Sequence, residues 1–222
     1  MSDALTSFVV RIRSIGSIIM TSGMSLRRRR LFLLLVSQLL PLSRATADPL
    51  PRPSEGVIDR LMQMLARVQE SQATFTEVKI MAGLTRPLQG TGRLFYRRPS
   101  HLEKVTFEPQ PETLVVDGNR LTLAEGNAPP QIIDLNGEPV IRTLVDAMRG
   151  TLSGDLASLQ RSYRVSMEGE IAAWRLTLVP LDPSVAQFIV STTIEGAGTS
   201  LQTVQTALTS GDVNRMTITP VS

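Results

Sequence analysis

The chain has 222 residues, with 23 basic and 20 acidic side chains, one histidine and no cysteine. Disulfides, thiolate metal sites and cysteine nucleophiles are therefore excluded, and so are most zinc sites. Seven of the basic and one of the acidic residues precede Asp48, so the part from Asp48 onward carries 16 basic against 19 acidic groups, a formal charge of −3. The basic face that a nucleic-acid partner requires is missing there.

The N-terminal stretch reads as an export signal. Arg27, Arg28, Arg29 and Arg30 form a basic cluster, residues 31–42 are almost wholly apolar, and Ala45-Thr46-Ala47 places small residues where a signal peptidase reads. The apolar run is short of the roughly 20 residues needed to span a bilayer. Cleavage is expected after Ala47, with Met24 as the true start. Arg29-Arg30-Leu31-Phe32-Leu33 also resembles a twin-arginine signal, so the general and twin-arginine routes both stay open, the general one favoured. The expected organisation is an upstream stretch and signal over 1–47 and a single domain over 48–222, which is long enough for its own core.

After three prolines (Pro49, Pro51, Pro53), Ser54 is placed to cap a helix with Val57, Ile58, Leu61, Met62, Leu65 and Val68 on one stripe, ending near residue 71. Strands are predicted over 74–81, 90–97, 102–107, 112–116 and 120–124, the last two joined by an Asp117-Gly118-Asn119 turn, and then over 131–135. A second helix follows Asn136-Gly137, with Pro139 in its first turn, Val140, Ile141, Leu144, Val145 and Met148 on one face, and Gly150 ending it. A short helical piece over 155–160 precedes strands over 163–167, 173–179, 187–194, 200–208 and 214–219, separated by turns at Gly169, Asp182-Pro183, Gly196–Gly198 and Gly211-Asp212. The fold class is α+β and mainly antiparallel β: one strongly curved sheet with helices against its concave side.

No catalytic constellation emerges. His101, beside Pro99, has no nucleophile elbow to serve and reads as an exposed residue at a strand start. The carboxylate pairs Glu168 with Glu170 and Glu108 with Glu112 flank turns, where charges normally face solvent. Gly196-Ala197-Gly198 and Gly90-Thr91-Gly92 lead into strands rather than helices, so they are turn or bulge glycines and not phosphate cradles. No enzyme activity, cofactor or metal is expected. Gly92, Leu94, Tyr96 and Arg98 share one strand face. Arg98 is then either a solvated residue past the strand end or an arginine at the rim of an apolar hollow, gripping carbonyls of a facing helix. The stripe of the second helix is likewise either plain core or a movable lid.

Phe75, Gly92-x-Leu94, Arg98-Pro99, Leu102, Pro109 and Leu114-Val115-Val116-Asp117-Gly118 resemble, in that order, the periplasmic outer-membrane lipoprotein carrier (LolA) family. The resemblance implies an incomplete, highly curved β-barrel whose helices roof an apolar cavity. It implies a soluble periplasmic carrier, expected to be a monomer. Such a carrier takes acyl chains of a lipoprotein or related envelope lipid from an inner-membrane exporter to an outer-membrane receptor. Arg98 corresponds to the family's latch to the helices. The lipid-facing set comprises Phe75, Leu94, Tyr96, Leu102, Leu114, Val116, Val140, Ile141, Leu144, Val145 and Met148. Departures stand at Lys104, where the family commonly has tryptophan, at Thr122 and Ala124, where it has aromatics, and after Thr219, where a longer segment follows. They leave open a carrier of another lipid, such as a glycolipid. Because the same fold occurs in periplasmic stress-signal proteins, the resemblance also allows a lipid-sensing module that binds a membrane regulator.

Overall fold

The computed structural model describes residues 55–221; the export signal, its cleavage site and the Ser54 cap lie outside them. Helix α1 (Glu55–Leu65) leads into a meander of β1 (Glu70–Ile80), β2 (Leu88–Arg97), β3 (His101–Glu108), β4 (Glu112–Asp117), β5 (Arg120–Glu125) and β6 (Gln131–Asp134). Helices α2 (Pro139–Ser153) and α3 (Leu156–Ser162) follow a short 3-10 turn. A second meander contains β7 (Tyr163–Glu170), β8 (Ala173–Pro180), a single helical turn α4 (Pro183–Ala186), β9 (Ile189–Ala197), β10 (Ser200–Leu208) and β11 (Val213–Pro220).

All eleven strands belong to one sheet, ordered β6-β5-β4-β3-β2-β1-β11-β10-β9-β8-β7. Every neighbouring pair is antiparallel. The two meanders meet where Phe75 lies opposite Ile218. The sheet stays open at β6 and β7, and the chain passes from one edge to the other through α2 and α3. This is the open, curved antiparallel sheet expected from the strand spacing.

Alternation along the strands sends one set of side chains to the helix side, where the core forms. Leu61, Met62 and Leu65 of α1, Ala147 of α2 and Leu159 of α3 pack on Tyr163, Met167, Trp174, Leu176, Leu178, Ile194, Leu201 and Ile218. Each fully buried leucine in this set contributes about 1.5–3 kcal/mol relative to exposure. Tyr163 also donates its hydroxyl to the Thr143 carbonyl of α2, joining that helix to the start of β7.

Several local expectations are corrected. Helix α1 ends at Leu65 rather than near residue 71, because pairing with β2, Glu70 opposite Arg97, draws residues 70–73 into the sheet. Gly150 does not end α2. It is buried inside the helix, where an added Cβ would lie 2.6 Å from Leu159 Cδ2. The terminator is Gly154, at φ 67°, whose amide bonds back to the Gly150 and Thr151 carbonyls. Gly169 falls within β7, and the reversal comes at 171–172. Asp182-Pro183 does more than turn: Asp182 accepts from the Ser184 amide and opens α4, which delays the next strand to Ile189. Gly196 stays in β9 beneath the Trp174 ring.

Gly154 is also where α1 and α2 converge. A Cβ there would meet Met62 O at 2.1 Å and Ala66 N at 2.7 Å. Gly154→Ala therefore combines left-handed strain with a helix–helix clash, and it should lower unfolding free energy by more than about 1 kcal/mol in a denaturant titration.

Candidate functional site

Strand β2 alternates inner and outer faces, and its inner residues Gly92, Leu94 and Tyr96 head three rows that cross the sheet. Pairing places Tyr96 beside Leu102, Leu102 beside Val116, Val116 beside Leu121, and Leu121 beside Ile133. Apart from the Tyr96 hydroxyl, this row is apolar. The next row runs Leu94, Lys104, Leu114 and Leu123. The third runs Phe75, Gly92, Thr106 and Glu112. The concave face is therefore apolar at the end of β2 that leads to Arg98 and grows polar toward the other end.

At the apolar end the helices are tied down. The Arg98 amide bonds to Gln69 O at 2.9 Å, which fixes its backbone just past β2. Its guanidinium Nη1 donates to Ala66 O at 2.6 Å and to Ser153 O at 3.2 Å. Ala66 follows the last residue of α1, and Ser153 is the last residue of α2. Neither helix has a basic residue in its own last turn, so Arg98 supplies the positive charge that both C-termini favour. A hydrogen bond from a charged donor contributes about 1.5–3 kcal/mol. The Arg98 guanidinium is thus spent on helix carbonyls rather than on solvent alone.

A second arginine, which sequence reasoning missed, works in the opposite direction. Arg149 of α2 donates to Ser100 O at 3.0 Å and to Gly118 O at 2.5 Å, on the β2–β3 and β4–β5 turns of the same rim. Burial pulls its pKa below the usual arginine value, against the opposing influence of Asp146 and Asp117. Its only signal in the sequence was an arginine near the apolar stripe of α2, and such residues usually face water.

The predicted site residues divide by place. Phe75, Tyr96, Leu114, Val116 and Ile141 are buried, while Leu94, Leu102, Val140, Leu144, Val145 and Met148 keep partial exposure. Leu94 and Met148 pack against the main core cluster, whereas Phe75, Tyr96, Leu114, Val116 and Ile141 lie outside it. Tyr96 is only 2 % exposed. Its hydroxyl meets no partner among the described residues, and burial raises its pKa although Arg98 opposes the shift. His101 opens β3 as expected, but it is partly buried and has Asp117 at 3.6 Å rather than facing open solvent.

At the polar end, Glu77 is 5 % exposed and accepts from Lys104 Nζ at 3.0 Å and Asn214 Nδ2 at 2.9 Å, with Lys79 at 3.7 Å. Burial alone would raise the Glu77 pKa, but Lys104, Lys79 and the Asn214 amide together outweigh it and hold the carboxyl below its ordinary value. Lys79 is shifted down, first by burial and then by Lys104, against the pull of Glu77 and Glu112. The expectation that Glu112 faces solvent is corrected: β4 alternation turns it inward with Leu114 and Val116, and it is buried. Glycine makes this arrangement possible. A Cβ on Gly92 would lie 2.6 Å from the Phe75 ring, and Lys104 sits 5.0 Å from the centre of that ring.

The sequence profile of the family described as "Outer membrane lipoprotein carrier protein LolA-like" matches residues 52–221. The chain belongs to this family. An outer-membrane lipoprotein carrier protein of Pseudomonas putida (strain W619) is 27% identical over 157 residues, covering 68% of this chain and 70% of the relative. The protein of that name from Pseudomonas syringae pv. tomato (strain ATCC BAA-871 / DC3000) is 25% identical over 122 residues, covering 54% and 57%. The crystal structure of a LolA superfamily protein from Nitrosomonas europaea matches with a TM-score of 0.39 and 10% identity, covering 73% of this chain and 91% of that one.

The departures from the LolA-like pattern have structural places. Thr122 and Ala124 alternate with Leu121 and Leu123, which are the buried residues of β5. Lys104 points inward and serves the Glu77 cluster. Because the folded Glu77 pKa lies below its ordinary value of 4.5, its stabilisation is complete above that pH and is lost as pH falls through the lower folded value. Glu77→Gln should flatten the acid limb of a melting-temperature profile below about pH 4.5. At neutral pH the same variant should melt lower, since Lys104 loses the carboxylate it bonds and Lys79 loses one of the two it faces.

Proposed function

We propose that this protein carries the acyl chains of a lipoprotein through the periplasm, from a donor in the inner membrane to an acceptor at the outer membrane. The observation that carries the reading is Arg98 on the sheet rim, holding the terminal carbonyls of α1 and α2 at the edge of an apolar concave face. The apolar rows offer the surface a hydrocarbon chain needs, and the helices form its cover. Phe75, Leu94, Tyr96, Leu102, Leu114 and Val116 line the sheet side. Val140, Ile141, Leu144, Val145 and Met148 belong to the covering helix. Membership of the LolA-like family supports the same reading.

The energetics suit a shuttle. Shielding a methylene gains about 0.8 kcal/mol, so a sixteen-carbon chain gains on the order of 12 kcal/mol in leaving water. A carrier that matched this fully would never let go. A closed empty state held by a few hydrogen bonds competes with the loaded state and lowers the apparent affinity. Arg98 and Arg149 supply those bonds.

Mass spectrometry of organic extracts from freshly purified protein should find acyl lipid, and its headgroup separates lipoprotein from glycolipid cargo. Arg98→Leu should retain more lipid and bind a fluorescent acyl probe on the order of 10-fold more tightly, because the competing closed state is lost. A sample with no extractable lipid and no probe uptake would sink the proposal.

A further inference from the structure

The polar end of the concave face is a built feature that acyl binding alone leaves unexplained. Glu77, Lys79, Lys104, Thr106 and Asn214 share the inner face of β1, β3 and β11. Gly90, on the strand between β1 and β3, bears no side chain, and a Cβ there would stand 3.9 Å from Glu77 Oε2. Lys104 thus reaches Glu77 across β2. The charges balance, because Lys79 and Lys104 face the carboxylates of Glu77 and Glu112. Nothing here calls for an ion of either sign.

Hydrogen-bonding capacity is nevertheless left over. Thr106 is 6 % exposed, and its hydroxyl has no partner among the described residues. The side-chain carbonyl of Asn214 is in the same position, its amide being used on Glu77. An unmet buried polar atom costs about 1–3 kcal/mol, and such atoms normally meet water or a ligand.

We propose that this patch receives the uncharged, hydroxyl-bearing head of an amphiphile, a glycerol or a sugar, whose tail lies along the apolar rows toward Tyr96. The inference rests on the reading of an acyl-chain carrier and gives that chain a hydroxylated head, as in a glyceride or glycolipid. The spacing fits. Gly90 to Tyr96 spans six residues, about 20 Å at roughly 3.4 Å each, while one leaflet of a bilayer core is about 15 Å deep. A neutral hydroxyl can donate to the Asn214 carbonyl and exchange a hydrogen bond with Thr106. A carboxylate or phosphate would instead meet Glu77 and Glu112, and an ammonium would meet the two lysines.

The test is displacement of a bound fluorescent acyl probe by a 1-monoacylglycerol, a fatty-acid methyl ester and a free fatty acid of one chain length. The wild-type protein should prefer the monoacylglycerol. Thr106→Val should cut its preference over the methyl ester by about 3- to 10-fold, the worth of one hydrogen bond, while Thr106→Ser retains it. Thr106→Val removes an unpaired buried hydroxyl and keeps the side-chain shape, so its melting temperature should not fall. An unchanged preference in Thr106→Val, or a wild-type preference for the free acid, overturns the head assignment while the carrier reading stands. If the protein binds neither the probe nor any of the three lipids, the carrier reading fails and takes this inference with it.

Discussion

Arg98 is the point at which sheet and helices are joined, and its geometry follows from a shortage common to all helices. The last carbonyls of a helix have no intrahelical partner, and the aligned peptide dipoles leave negative character there. Here two helices end beside each other, and neither carries a basic residue in its last turn. One guanidinium from the rim serves both. Gly154 allows the ends to come close enough, since any side chain there would collide with α1. Because the charge sits on the sheet, the two helices are held in place together. Losing that single contact would loosen both.

Arg149 repeats the device from the helix side, with its donors on two turns of the same rim. The helices are therefore attached by a few directed polar contacts at the rim, in addition to the apolar packing of α1, α2 and α3. Directed bonds of this kind can be exchanged for others at small net cost, whereas buried apolar area cannot.

The concave face shows how a sheet distributes polarity by register. Adjacent rows pass from Tyr96, Leu102 and Val116 through Leu94, Lys104 and Leu114 to Phe75, Thr106 and Glu112, with Glu77 beside Gly90 one row further on. Burying Glu77 would be costly without partners. Lys104 provides one by reaching across β2, whose residues at 90 and 92 carry no side chain. The Gly90-Thr91-Gly92 segment, unremarkable as a motif, is what lets β1 and β3 meet above β2. It also contains the register shift between β2 and β3, as expected of bulge glycines.

Much of this was legible in the chain itself, for reasons that are local. Period-two alternation placed Gly92, Leu94, Tyr96 and Arg98 on one face, and the 3.6-residue stripes marked α1 and α2, because both patterns follow from backbone geometry alone. The Asp117-Gly118-Asn119 turn was equally plain. What sequence could not decide was competition between distant groups. Whether α1 continued past Leu65 depended on pairing with β2, and whether Gly150 or Gly154 ended α2 depended on Leu159 packing against one of them. Glu112 looked like a turn carboxylate until its strand was set in register beside Thr106. Arg149 looked like a solvated arginine until the rim turns came within reach of it. Residue order therefore determined most of the elements and their apolar faces, and it set Arg98 on the face of Leu94 and Tyr96 without deciding between solvent and helix. The partners of each buried charge were decided only when chain segments far apart in sequence came together, because an ion pair or a helix cap is a property of two places at once.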